Sequence, residues 1–164
     1  MRIFGIDPGL ATVGFGIVDK GARGELAAVD YGVVTTPKEL TTIDRLVILH
    51  EAFGALLTKY APDAVAVEEL FFARNVTTGI PVAEARGVLL MTVRAFTANL
   101  FEYTPLQVKM SITGYGQADK GQIQFMVQRM LRLKVVPKPD DAADALAIAI
   151  THANTNMSLV AAKK

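Results

Sequence analysis

The sequence predicts a mixed α/β domain, a five-stranded sheet with helices on both faces. Three features point to it. The first three strand-like segments are joined by connections short enough to demand antiparallel neighbours. The run Ala64 to Val67 is apolar at every position, the mark of a strand covered on both faces and lying parallel to a neighbour. From Thr42 onward, helical and strand-like segments alternate.

Arg2 to Asp7 is an apolar strand that closes on the turn Pro8-Gly9. Thr12 to Asp19 is a second strand, with Gly14 and Gly16 on either side of Phe15. A glycine-bearing turn at Lys20 to Gly24 leads to a third, Leu26 to Thr35. Thr42 is the expected N-cap of a helix with apolar residues at Ile43, Leu46, Val47, Phe53, Leu56, Leu57 and Tyr60, ending before Pro62. After the strand Ala64 to Val67 comes a loop, Glu69 to Val76, and then a long helix from about Thr78 to Asn99 with Pro81 in its first turn. Leu100 to Thr104 is a short strand and Pro105 to Ile112 a short helix stopped by Gly114-Tyr115-Gly116. Lys120 to Leu133 is amphipathic, Val135 to Pro139 extended, and Asp140 to Ala153 the last helix.

At 164 residues and 51% apolar, the chain suits one domain over 1–154 with a flexible tail over 155–164. The absence of cysteine excludes a disulfide scaffold, a thiolate nucleophile and a sulfur-bound zinc. No apolar run approaches the ~18–20 residues of a membrane span. Asp7 and Pro8 interrupt the first apolar segment too early for a secretory signal, so a cytoplasmic protein is expected. Charge is uneven: residues 1–70 hold 6 basic and 10 acidic side chains, residues 71–139 hold 9 and 3. An acidic centre with a basic flank suits a polyanion, and scatter over a solvated surface is the plainer alternative.

Asp7 and Glu68 each end an apolar strand at a turn, where strand ends share an edge that binds ligands in open α/β sheets. Taken singly each has a simpler account: Asp7 opens an Asp-Pro-Gly turn and Glu68 lies at a strand end. In Asp140-Asp141-Ala142-Ala143-Asp144, Asp141 and Asp144 stand three apart on one helix face. Helix capping accounts for Asp140 or Asp141, but Asp144 sits a turn deeper among alanine and leucine and needs a partner there. If Asp7, Glu68, Asp141 and Asp144 meet, a hard divalent cation satisfies them, and oxygen-only ligands select Mg²⁺ or Mn²⁺. Two such ions about 3.5–4 Å apart support phosphodiester hydrolysis without a nucleophilic side chain. Lys109 and Lys120 flank the Gly114-Tyr115-Gly116 turn as candidate phosphate contacts, and Phe71-Phe72-Ala73-Arg74-Asn75 places aromatics beside a cation and an amide, suited to an unstacked base.

Gly5-Ile6-Asp7-Pro8-Gly9, Val67-Glu68-Glu69-Leu70-Phe71, Ala85-Arg86-Gly87-Val88, Val108-Lys109 and Asp141 to Ala149 together resemble, in order, the RuvC Holliday junction resolvases, over nearly all of residues 2–154. The resemblance implies a ribonuclease H-like fold and a homodimeric Mg²⁺-dependent endonuclease that nicks two symmetric strands of a four-way DNA junction. It implies metal-binding catalytic roles for Asp7, Glu68, Asp141 and Asp144, with two ions per subunit and Mn²⁺ as a substitute. It places Lys109 and Lys120 near the scissile phosphate and Phe71 against unstacked bases at the crossover, while Arg74 and Asn75 join the DNA-binding set on the chemistry of the loop alone. A branch-migration motor complex is the implied partner. Residues Gly79 to Glu84 depart from the family's usual helix start, and Glu69 and Asp140 add carboxylates that stand beside the four.

Two other classes compete. The kinase and actin-type ATPases share the fold and an Asp-x-Gly turn, but close two domains around a nucleotide, for which 164 residues leave no second wall. A non-catalytic junction-binding module gains nothing from four acids facing a polyanion.

Overall fold

The computed structural model describes residues 1–69, 76–97 and 99–155. Its strands are β1 (Arg2–Asp7), β2 (Thr12–Lys20), β3 (Leu26–Thr35), β4 (Ala64–Glu68) and β5 (Leu100–Tyr103), and its helices α1 (Thr42–Tyr60), α2 (Val76–Phe96), α3 (Pro105–Thr113), α4 (Lys120–Met130) and α5 (Asp140–Asn154). They form one sheet in the order β3-β2-β1-β4-β5, antiparallel across β3, β2 and β1 and parallel across β1, β4 and β5. The expected mixed sheet is therefore present, with β1 and β4 at its centre.

Each face of the sheet carries its own core. On one, Phe4, Ile6 and Val67 pack with Leu49 and Phe53 of α1 and Leu89 and Val93 of α2. On the other, Ile3, Val18 and Ala66 meet α5, flanked by Val108 and Ile112 of α3 and Ile123 and Val127 of α4. All nine residues from Ala145 through Ala153 are buried, so α5 beyond its first turns is enclosed on every side, as an apolar circumference demands. It lies on the strands almost without intervening side chains. A Cβ at Gly5 would stand 2.1 Å from the Ala145 carbonyl oxygen, and one at Gly14 would stand 2.0 Å from that of Asp141. Only glycine allows backbone to approach backbone this closely.

Local chemistry fixes the helix ends, in places one to three residues from where the pattern put them. Thr41, not Thr42, caps α1, its hydroxyl accepting from the Asp44 amide. Thr104 is the cap of α3 rather than part of β5, in a reciprocal box with Gln107; Asp119 and Gln122 do the same for α4. The apolar pattern of α4 runs on to Leu133, yet the helix stops at Met130. Arg132 turns left-handed at φ 53°, and the Leu133 amide bonds back to the Gln128 carbonyl at 2.9 Å, a Schellman closure with arginine in the glycine position. Because α2 begins at Val76, Pro81 is its sixth residue and lies past the first turn, one helical hydrogen bond being forgone there.

Candidate active site

β1 and β4 are parallel neighbours, with Ile6 opposite Val67, so Asp7 and Glu68 leave the sheet side by side at its carboxyl edge. Asp7 pairs with Gly14 across β2, and the missing side chain at Gly14 lets the first turn of α5 settle there, bringing Asp141 beside Asp7. One turn on, Asp144 is the only residue between Ala142 and Ala153 that keeps substantial exposure. It opens with Glu68 into a cleft of about 220 Å³ lined also by Lys109 of α3 and Lys120 of α4.

The electrostatics are those of crowded acids. Burial, and then the charges of Glu68, Asp144 and Asp141, push the Asp7 carboxyl from 3.8 up to about 8. Burial and Asp144 push Glu68 up to about 7. Asp144 is also raised by burial, against the opposing pull of Lys120. Burial works against the charge on Lys120, but Asp144 and Asp140 hold its pKa above the ordinary lysine value. Its ammonium lies 3.2 Å from Asp144 and 3.5 Å from Asp140.

Of the residues singled out in the sequence, the fold thus gathers Asp7, Glu68, Asp141, Asp144, Lys109 and Lys120 around one cleft. Phe71, Arg74 and Asn75 lie outside the described residues. Of the two extra acids, Asp140 is already engaged: Lys138 and the Gln124 amide each donate to it at 2.9 Å and hold its pKa below the usual value. Glu69 is tied through its backbone, its N–H donating to the Tyr103 carbonyl at 2.8 Å. Sequence reasoning missed the anchoring of Asp140 by Gln124, since no local pattern joins residues on α4 and α5.

A family model described as crossover junction endodeoxyribonuclease RuvC matches residues 3–152. The chain belongs to the RuvC family. Among its relatives, the crossover junction endodeoxyribonuclease RuvC of Fusobacterium nucleatum is 53% identical over 155 residues, spanning 94% of this chain and 81% of that one. That of Brevibacillus brevis is 54% identical over 153 residues, spanning 93% and 92%. The structure of Thermus thermophilus RuvC superposes with a TM-score of 0.86 at 36% identity, covering 93% of each chain. The same protein in complex with a Holliday junction substrate gives 0.84 at 33%. The ribonuclease H-like fold expected from the sequence is the fold these RuvC structures share with the chain.

RuvC membership implies a divalent metal cofactor, and the donors here fit one. All four are carboxylates, suited to a hard cation, and the burial and mutual repulsion that raise Asp7, Glu68 and Asp144 are what a bound cation offsets. Among the described residues no three of these groups already close on one point, and the Lys120 ammonium lies against two acids of the cleft.

Proposed function

We propose that this RuvC-family chain is a Holliday junction resolvase that nicks two symmetric strands of a four-way DNA junction, with Asp7, Glu68, Asp141 and Asp144 as its metal ligands. The observation that carries the assignment is the convergence of acids from β1, β4 and α5 on a cleft whose far wall is Lys109 and Lys120. Mg²⁺, two ions per subunit with Mn²⁺ able to substitute, would supply there the polarisation of the phosphodiester and a lowered pKa for the attacking water. The chain's own residues do the rest. The acids hold the cations and exclude competing anions until they are loaded. Lys109 and Lys120 attract the backbone phosphate, and Lys120 exchanges a carboxylate partner for it. The preceding segment that includes Phe71, Arg74 and Asn75 would meet the crossover.

One nuclease domain over 1–154 suffices for each nick, and two nicks on a two-fold substrate call for an isologous dimer. Leu89 and Val93, within the broad apolar arc of α2, are fully buried in the chain's own core, so the contact must use other residues. Ile80 and Met91, eleven apart and therefore on one side of α2, are 53% and 60% exposed, and Ile43 and Val47 of α1 are exposed as well. We place the dimer contact on these. No helix among the described residues is long and apolar enough to cross a membrane, and a cytoplasmic setting with a branch-migration motor complex as partner accords with junction DNA as substrate.

The test is incubation of the protein with a labelled mobile four-way junction, a linear duplex and a single strand, in Mg²⁺ or EDTA. Paired nicks on the junction alone, in Mg²⁺ alone and lost in Asp7→Asn with binding retained, are expected. Cleavage by Asp7→Asn at the wild-type rate overturns the ligand assignment.

A further inference from the structure

Glu68 owes its position to a strand end, and one side chain reaches that end from the opposite face of the sheet. Arg86, on the stripe of α2 next to fully buried Ala85 and Leu89, is 18% exposed. Its Nε donates to the backbone carbonyl of Glu68 at 3.0 Å, and its Nη2 donates to the Glu102 carboxylate on the neighbouring strand β5. The guanidinium therefore spans β4 and β5 at the last residue of β4, beside the Glu69 N–H bond to the Tyr103 carbonyl. β5 has four residues, so it offers the end of β4 little support of its own.

We infer that Arg86 is a positioning residue for the cleft: by clamping the Glu68 peptide to Glu102 it fixes where the Glu68 carboxylate stands relative to Asp7 and Asp144. The inference rests on the ligand role proposed for Glu68. A planar fork with donors at fixed angles can hold two acceptors at once, whereas a lysine offers a single point charge. Without the clamp the Glu68 peptide is free to shift, and misplacement of a reacting group by about 1 Å costs on the order of 10²-fold in rate.

The test uses Arg86→Gln, Arg86→Lys and Glu68→Gln beside the wild type. Single-turnover cleavage at saturating junction, junction affinity in EDTA, and the rise in melting temperature that Mg²⁺ gives the free protein are measured on each. Arg86→Gln should lose about tenfold or more in rate while junction affinity stays within about threefold, and its Mg²⁺-dependent rise in melting temperature should need more metal. Arg86→Lys should recover part of both. A folded Arg86→Gln with wild-type rate and metal response overturns the inference, as does a rate loss matched by lost junction affinity. If Arg86→Gln does not fold, Glu102→Ala removes the clamp's other anchor and should show a smaller defect of the same kind; wild-type behaviour there overturns it too. Glu68→Gln separates the two claims. Should it cut normally, the ligand assignment itself has failed; should it be inactive while Arg86→Gln cuts normally, only the role of Arg86 has.

Discussion

Replacing Gly14 with alanine adds one methyl group and no charge, yet it should disable the site. The new Cβ would lie 2.0 Å from the Asp141 carbonyl oxygen and 2.5 Å from its carbon, both backbone atoms that cannot rotate away. Relieving the closer contact to an ordinary 3.4 Å requires the N-terminal turn of α5 to retreat by about 1.4 Å. Farther along, Gly5 keeps Ala145 and Ala149 close to β1, so the helix tilts rather than slides and Asp141 takes most of the displacement. Overpacking of this kind costs about 1–3 kcal/mol. At roughly 2–4 °C per kcal/mol for a chain of this size, melting should fall by about 2–12 °C. A displacement beyond 1 Å at a catalytic acid should lower the single-turnover rate by about two orders of magnitude, with junction affinity in EDTA unchanged. Gly54→Ala is the control: nothing lies within 4 Å of its Cβ, and removing a mid-helix glycine should stabilise by about 0.5–1 kcal/mol. A Gly14→Ala protein that melts with the wild type and cuts within about twofold of its rate would refute the claim that backbone contact sets the position of Asp141.

Three further outcomes are expected. Without metal, Asp7 and Glu68 bind protons more tightly folded than unfolded, so stability falls as pH rises from about 4 toward 8. Asp7, raised from 3.8 to about 8, contributes at most about 6 kcal/mol of that penalty. His152 acts oppositely, because burial pushes it from 6.5 down to about 4 and charging it on unfolding destabilises the protein as pH falls below 6.5. Over about pH 4.5 to 6.5 the two raised acids outweigh the one depressed imidazole, so melting in EDTA should fall from about pH 4.5 toward 8, and Asp7→Asn should make the fall shallower; a wild-type profile that rises between about pH 5 and 8 contradicts this. Lys120→Ala should slow cleavage more than it weakens binding and reduce the slope of log K against log salt by about 0.9, an unchanged rate and slope making Lys120 an ordinary surface charge. Met91→Asp should halve the mass seen in sedimentation without lowering the melting temperature, since Met91 is exposed; a folded wild-type monomer that makes both nicks in one binding event excludes the dimer.

The acids were legible in the sequence because each sits where a one-dimensional pattern breaks: Asp7 and Glu68 end apolar runs, and Asp144 interrupts an apolar helix. Connection lengths marked the antiparallel strands, and the apolar run Ala64 to Val67 marked a parallel one, but the order of all five did not follow from them. What stayed hidden depends on distances between segments remote in the chain. Gly14 and Gly16 look like ordinary strand residues until α5 lies across them. Arg86 belongs to a recognisable block, but its bond to the Glu68 carbonyl joins residues 18 apart across the edge of the sheet. The end of α4 was obscured for a different reason, since Leu131 and Leu133 continue its apolar spacing while an arginine takes the left-handed position that usually announces a stop.

The two capped helices give the cleft walls of unlike stiffness. Asp7, Asp141 and Asp144 belong to a slab in which α5 meets β1 and β2 nearly main chain to main chain at Gly5, Gly14 and Gly16. Lys109 and Lys120 ride on α3 and α4, of 9 and 11 residues, each closed at its own N-terminus by a reciprocal threonine or aspartate box with glutamine. Those boxes close each short helix locally, and Val108, Ile112, Ile123 and Val127 seat the pair on the core through side chains. On the function proposed, core substitutions beneath α3 or α4 should therefore displace the lysines and leave the carboxylates in place, whereas a change at the glycines under α5 should do the reverse.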